Sequence, residues 1–239
     1  MKWLLLLAIA MNVHAEELRV LSGGAAKSLV DPLAKSFQGA TVKMEYQPMG
    51  KLVQSLKAGD AADMVIVTNE VIDNLKGQIS LPAKGIARVG IGVAVNEKAP
   101  SPDISTVEAF KKTLLAAKSV VYIDPKVGTS GKHVAEILRK LNIEKEIQAK
   151  ATLGQGGYIT EPVGRGEIEL GIHQISEILP VKGVKLVGPL PAELQKYTVY
   201  VAAPTAKTAK KAAVDAFIAH LTGPEARGRL EKAGYTPPE

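Results

Sequence analysis

The chain has 239 residues, no cysteine, and a formal net charge of +6 from 30 Lys and Arg against 24 Asp and Glu. No disulfide framework is available, so the hydrophobic core alone must hold the fold, and the length suffices for one large domain or two small ones. The basic residues are scattered and the ten aromatic residues do not interleave with them, which argues against nucleic-acid binding and suits a small anionic ligand.

Met1-Lys2 is a short positive segment, residues 3–11 are an apolar run too short to span a bilayer, and Val13-His14-Ala15 is a small-residue cleavage site. Residues 1–15 therefore read as a signal peptide, the mature chain is expected to start near Glu16, and the protein is expected to be periplasmic or secreted. From there short apolar strands alternate with helical patterns, the signature of βα units and mainly parallel sheets. Strands are expected over 18–22, 42–46 and 64–68. Between them run helices with the apolar stripes Leu29, Val30, Leu33, Phe37 and Leu52, Val53, Leu56, the second ended by Gly59. One long strand over 86–95 leads into the Pro-rich surface loop 98–102. The middle of the chain repeats the plan, with strands over 120–123, 149–153 and 170–172 and helices over 132–141 and 159–165. An extended run over 197–203 is followed by helices over 210–221 and 226–232, broken at Gly223-Pro224. Docking these last helices on the first lobe divides the chain into 16–90 plus 202–239 and 91–201. Two strands then cross between the lobes as a hinge, and the cleft between them is the expected ligand site.

Two loops stand out. Gly23-Gly24-Ala25-Ala26-Lys27-Ser28 and Gly128-Thr129-Ser130-Gly131-Lys132-His133 each follow a strand and open an amphipathic helix. Small residues leave backbone N–H groups uncovered at a helix start, where unpaired donors and the positive dipole end favour an anion. Two such loops facing each other make a clamp.

Together with these loops, Gly50-Lys51-Leu52-Val53, the run Ala58-Gly59-Asp60-Ala61-Ala62-Asp63-Met64-Val65-Ile66, Asp124-Pro125 and Gln174-Ile175-Ser176-Glu177-Ile178 carry a resemblance. Over nearly all of the mature chain the sequence resembles the periplasmic molybdate-binding-protein-like family of extracellular solute-binding proteins. That resemblance implies an α/β, two-lobed type II periplasmic-binding-protein fold that closes on a ligand and delivers it to an ABC importer. It also implies where this chain departs from oxyanion binding. Molybdate binders of the family place serine hydroxyls where Ala25 and the loop Gln47-Pro48-Met49-Gly50 stand here, and a tyrosine at Gln174. Each lost donor is worth about 0.5–1.5 kcal/mol. The candidate ligand-binding residues are Ser22, Gly23, Gly24, Ala25, Met49, Lys51, Thr129, Ser130, Lys132, His133, His173 and Gln174. Their cationic and amide donors suit carboxylates.

Three readings follow. The first is a binding protein for a small organic polycarboxylate, expected to act as a monomer, with importer membrane subunits as partners and no cofactor or metal. The second is aconitate isomerase, which resembles this scaffold. Its cis/trans interconversion needs a carboxylate clamp and one acid/base group to move an allylic proton, for which His133 or His173 is the candidate. Molybdate or tungstate binding is the third. The residues do not decide which of Lys27, Lys51 and Lys132 faces the cleft, nor whether Tyr158 lines it. Walker, zinc-protease and Cys/His motifs are missing from the sequence, Gly154-Gln155-Gly156-Gly157 lacks dinucleotide-binding spacing, and Ser130, His133 and Asp124 lack a nucleophile elbow.

Overall fold

The computed structural model describes residues 16–238, so the expected signal peptide lies outside the described residues. The chain first lays down β1 (Glu17–Gly23), α1 (Lys27–Ser36), β2 (Thr41–Gln47), α2 (Met49–Lys57), β3 (Met64–Thr68) and β4 (Lys84–Val89). It then builds β5 (Ile91–Asn96), α3 (Val107–Ala116), β6 (Val120–Ile123), α4 (Thr129–Lys140), α5 (Glu144–Gln148), β7 (Ala151–Gly154), α6 (Glu161–Gly164), β8 (Leu170–Gln174), α7 (Ile175–Ile178) and β9 (Val184–Pro189). It ends with β10 (Thr198–Pro204), α8 (Lys211–Thr222) and α9 (Pro224–Arg229).

These elements form two five-stranded sheets, ordered β2-β1-β3-β10-β4 and β7-β6-β8-β5-β9. In each, three strands run parallel: Val20 lies beside Met44 and Met64 in the first, and Val120 beside Ala151 and Leu170 in the second. The fourth strand in each is antiparallel, β10 against β3 and β5 against β8. Both of these are the strands delivered from the other lobe, so the sheets are mixed because the chain crosses over. Each sheet has its own core. Leu29, Leu33 and Leu52 from the first helices and Phe217 and Leu221 from α8 pack on the first sheet, while Phe110, Leu114 and Leu138 pack on the second. This two-lobed α/β architecture is the one expected.

Three expectations are corrected in detail. The single strand over 86–95 is two strands in different sheets, interrupted at Gly90, whose carbonyl accepts from Ile175 N at 3.0 Å. The return crossing is not a strand; it is the segment between β9 and β10. Because Thr198 already pairs with Val89 in the first sheet, the return comes ahead of residue 198 rather than at 201/202. The strand β9 and the helices α3, α5 and α7 lie in stretches where the sequence pattern predicts no element.

The two crossings are stitched by one side chain. Gln195 Oε1 accepts from Ile91 N at 2.9 Å and its Nε2 donates to Ile91 O at 2.8 Å, copying the pairing of a neighbouring strand. Ile91 is buried, so replacing Gln195 by Ala leaves its N–H without an acceptor. Urea denaturation of Gln195→Ala is expected to show a loss of about 1–3 kcal/mol, the cost of an orphaned buried donor.

Candidate functional site

A cavity of about 350 Å³ lies between the sheets, at the ends of the parallel strands, the usual position of a ligand in open α/β sheets. Its walls are the turns that follow β1, β2, β6, β7 and β8, closed from the first lobe by Tyr200 of β10. Three of these turns start helical segments at Gly24, Met49 and Thr129. Their N-cap residues are Gly23, Pro48 and Gly128, none of which makes a side-chain capping hydrogen bond. A Ser or Asp at such a position would occupy the free N–H groups itself; these residues leave them to a ligand.

The first turn is fixed from behind. The Ala25 carbonyl accepts from Ser176 Oγ at 2.8 Å and from the Tyr235 hydroxyl. Burial pushes the Tyr235 phenol up to about 12, so it remains a donor throughout the physiological range. The fourth turn is shaped by Gly156 and Gly157, whose φ values of 135° and 69° favour glycine. It directs the Gly157 carbonyl at His173.

Lys27 is the cation of the cavity wall. Its Nζ lies 5.3 Å from the Tyr46 ring centre in the first lobe and 5.9 Å from that of Tyr158 in the second, so aromatic faces from both lobes hold it. The Tyr46 hydroxyl donates to Asp31. Burial, and then the Asp31 contact, pushes that phenol well above its usual value.

On the floor, Gln174 Nε2 donates to Thr129 Oγ1 at 3.4 Å and Thr198 Oγ1 at 3.3 Å, and Gln174 Oε1 accepts from the Tyr200 hydroxyl at 3.4 Å. Beside it, His173 Nε2 lies 3.1 Å from the Gly157 carbonyl and 3.0 Å from Glu177 Oε2. A carbonyl can only accept, so Nε2 carries the hydrogen. The side chains of His173 and Glu177 are 2% and 9% exposed. Burial by itself lowers the pKa of the imidazole, but the charge and hydrogen bond of Glu177, with the Gly157 carbonyl, outweigh it and raise the value overall.

Gly23, Gly24, Ala25, Met49, Thr129, Ser130, His173 and Gln174 are thus brought together, with Lys27 and Tyr158 among them. Ser22, Lys51, Lys132 and His133 are not, which corrects their assignment to the cavity wall. Ser22 is fully buried and turns its hydroxyl back to the Gly23 carbonyl at 3.0 Å. Lys51 and Lys132 are exposed, because a helix turns by about 100° per residue and the cavity takes only the first residues of α2 and α4. His133 instead donates from Nε2 to the Leu194 carbonyl at 2.7 Å, tying α4 to the return crossing. The reading over sequence missed Tyr46, Glu177 and Tyr200 as wall residues. Glu177 carried a usable signal: it lies four residues after His173, across a strand-to-helix turn. Among the described residues no group of His, Cys, Asp and Glu is arranged to hold a metal ion.

The raised imidazole has a consequence for stability. A group that binds its proton more tightly when folded stabilises the protein fully below its unfolded pKa, about 6.5, and that contribution is lost as the pH rises through the folded value. Melting temperatures of the ligand-free protein between pH 5.5 and 8.5 are therefore expected to fall toward high pH relative to His173→Gln. Parallel curves for the two proteins contradict the assignment.

Residues 18–236 match the family described as bacterial extracellular solute-binding protein. An aconitate isomerase from Pseudomonas sp is 32% identical over 92% of this chain and 87% of its own length. The molybdate-binding protein ModA of Escherichia coli (strain K12) is 25% identical over 96% of this chain and 93% of its own. Among solved structures, the periplasmic molybdate-binding protein of Azotobacter vinelandii superposes with a TM-score of 0.77 at 19% identity, covering 93% of this chain and 100% of that one. The paired lobes, the cleft between them and the match over nearly the whole described chain have one reading: the protein belongs to the bacterial extracellular solute-binding proteins.

Proposed function

We propose that the cleft takes an unsaturated organic polycarboxylate of the aconitate type and moves its allylic proton, interconverting the cis and trans isomers. The observation that carries this reading is a buried, titratable His173–Glu177 pair set into the wall of an anion-receptive cavity. Uncapped helix starts and Lys27 supply donors for several carboxylates at once. The 32% identical relative that bears the name aconitate isomerase supports the same reading. At about 350 Å³ the cavity sits near the lower end of the ~300–1,000 Å³ usual for small-molecule sites, in keeping with a small acid.

In the reaction a C–H bond of the substrate methylene breaks and its electron pair forms the new double bond. The electrons of the old double bond then take up a proton at the far carbon. Composition is unchanged and no oxidant is required. The negative charge that develops across the three carbons spreads onto carboxylates held by N–H donors and Lys27, where fixed donors lower the barrier most.

A second reading is favoured by the family: periplasmic capture of the same polycarboxylate without turnover, for delivery to an ABC importer. Molybdate or tungstate fits less well, since Ala25 offers no hydroxyl.

Both readings meet one experiment. Purified protein is mixed with trans-aconitate and followed by proton NMR, while melting curves are recorded with cis- and trans-aconitate, citrate, sulfate, molybdate and tungstate. Isomerisation predicts appearance of the cis form; stabilisation without conversion favours capture. A ligand at a hundred times its dissociation constant adds about 2.7 kcal/mol. Lys27→Met is expected to weaken polycarboxylate binding about tenfold, the loss of one charge-assisted contact of ~1.5 kcal/mol. Stabilisation by molybdate and tungstate alone overturns the polycarboxylate proposal.

A further inference from the structure

If the isomerase reading is taken as the basis, the structure distinguishes the two members of the buried pair. His173 presents neither nitrogen to the ligand. Nε2 is engaged by the Gly157 carbonyl and by Glu177 Oε2, and Nδ1 is buried without a partner among the described residues. Glu177 is arranged the other way. One oxygen, Oε2, is held by His173, while Oε1 makes no hydrogen bond among the described residues, and Glu177 is one of the residues that line the cavity.

Oε1 lies against the first glycine loop. A Cβ placed on Gly24 would stand 3.1 Å from it, so the carboxylate of one lobe lies in close contact with the anion-receptive turn of the other. The main chain around Glu177 is tied down on that side, because the neighbouring Ser176 bonds to the Ala25 carbonyl at 2.8 Å. A carboxylate with one oxygen pinned and the other free, beside the N–H groups that would hold a substrate carboxylate, is placed to accept a proton from an adjacent carbon and to return it.

We propose that Glu177 Oε1 is the group that carries the allylic proton, and that His173 is a positioning residue that holds the carboxylate through Oε2. In one half of the reaction Glu177 takes the proton as the substrate C–H bond breaks; in the other it gives the same proton, or one exchanged with water, to the carbon at the far end of the three-carbon allylic unit. The glutamate ends the cycle as it began. His173 keeps its Nε2 hydrogen throughout. This departs from the sequence-based expectation that a histidine carries the proton.

The test uses the full mature chain and trans-aconitate in D2O. The native protein is expected to convert the substrate and to introduce solvent deuterium at the exchanging carbon. Glu177→Gln, which keeps the shape and removes the base, is expected to lose turnover at least about a hundredfold while retaining stabilisation by trans-aconitate in a melting curve. Glu177→Asp, which keeps a carboxylate but withdraws it, is expected to recover part of the activity. His173→Gln is expected to lower kcat about tenfold or more with KM within about threefold, a split that loss of folding alone would not produce.

Activity of Glu177→Gln within threefold of the native protein overturns the proposal and leaves the isomerase reading standing. A His173→Gln protein that loses turnover while Glu177→Gln does not returns the proton to the imidazole and also overturns it. Absence of both conversion and deuterium uptake in the native protein overturns the isomerase reading, and this proposal with it.

Discussion

The cleft is organised around backbone N–H groups that no side chain caps. Helical segments start at Gly24, Met49 and Thr129, and the residue ahead of each is a glycine or a proline. Neither can return an acceptor to the free donors. Leaving such donors in a cavity costs about 1–3 kcal/mol each where water does not reach them, so the arrangement is stable only with water or an anion in place. Selectivity for negative charge is therefore a property of the main chain. The side chains around it decide which anion.

Those starts face one another because of the way the chain crosses between lobes. Each sheet takes its antiparallel strand from the other lobe, β10 into the first and β5 into the second. The crossings are short, and Gln195 joins the return segment to Ile91 as though it were a further strand. Contacts on the cleft side run across the same gap. Ser176 reaches the Ala25 carbonyl, Gly156 approaches Pro48, and Lys27 lies between rings from both lobes. A change in the angle between lobes must alter the position of Lys27 against Tyr158 and of Glu177 against Gly24 together. Lys27 and the His173–Glu177 pair are thus coupled to one geometric variable.

Much of this was legible in the sequence for a simple reason. Strands such as 64–68 and 120–123 are continuous apolar runs bounded by turn residues, and the glycine loops that follow strands mark helix starts without reference to anything distant. Ile86 to Val95 misled because both of its halves are buried; Gly90 does not look different from a glycine inside one strand, and only the pairing partners show that the sheets change there. The lysines misled because charge alone does not say which way a helix residue points. Lys27 enters the cleft, whereas Lys51 and Lys132, equally near a helix start, face solvent. Tyr46 and Tyr200 lie at strand positions that look like ordinary core, and their role depends on neighbours from the other lobe.

The pair His173 and Glu177 is harder to explain by stability than by chemistry. Burying two ionisable groups costs several kcal/mol of lost hydration, which their attraction and hydrogen bonds only partly return, and an apolar pair of similar volume would often serve folding as well. For an anion receptor the carboxylate is a further liability, since it repels the ligand that the helix starts attract. Pairing with the imidazole offsets part of this repulsion, and the charge and hydrogen bond of Glu177 raise the pKa of His173 against the effect of its burial. Yet the pairing uses only Oε2, and leaves the other oxygen of this cavity-lining residue beside Gly24. Full neutralisation would have turned both oxygens toward donors. One carboxylate oxygen held by the imidazole and the other left beside an uncapped helix start is the arrangement that the proposed proton exchange requires, and folding alone does not call for it.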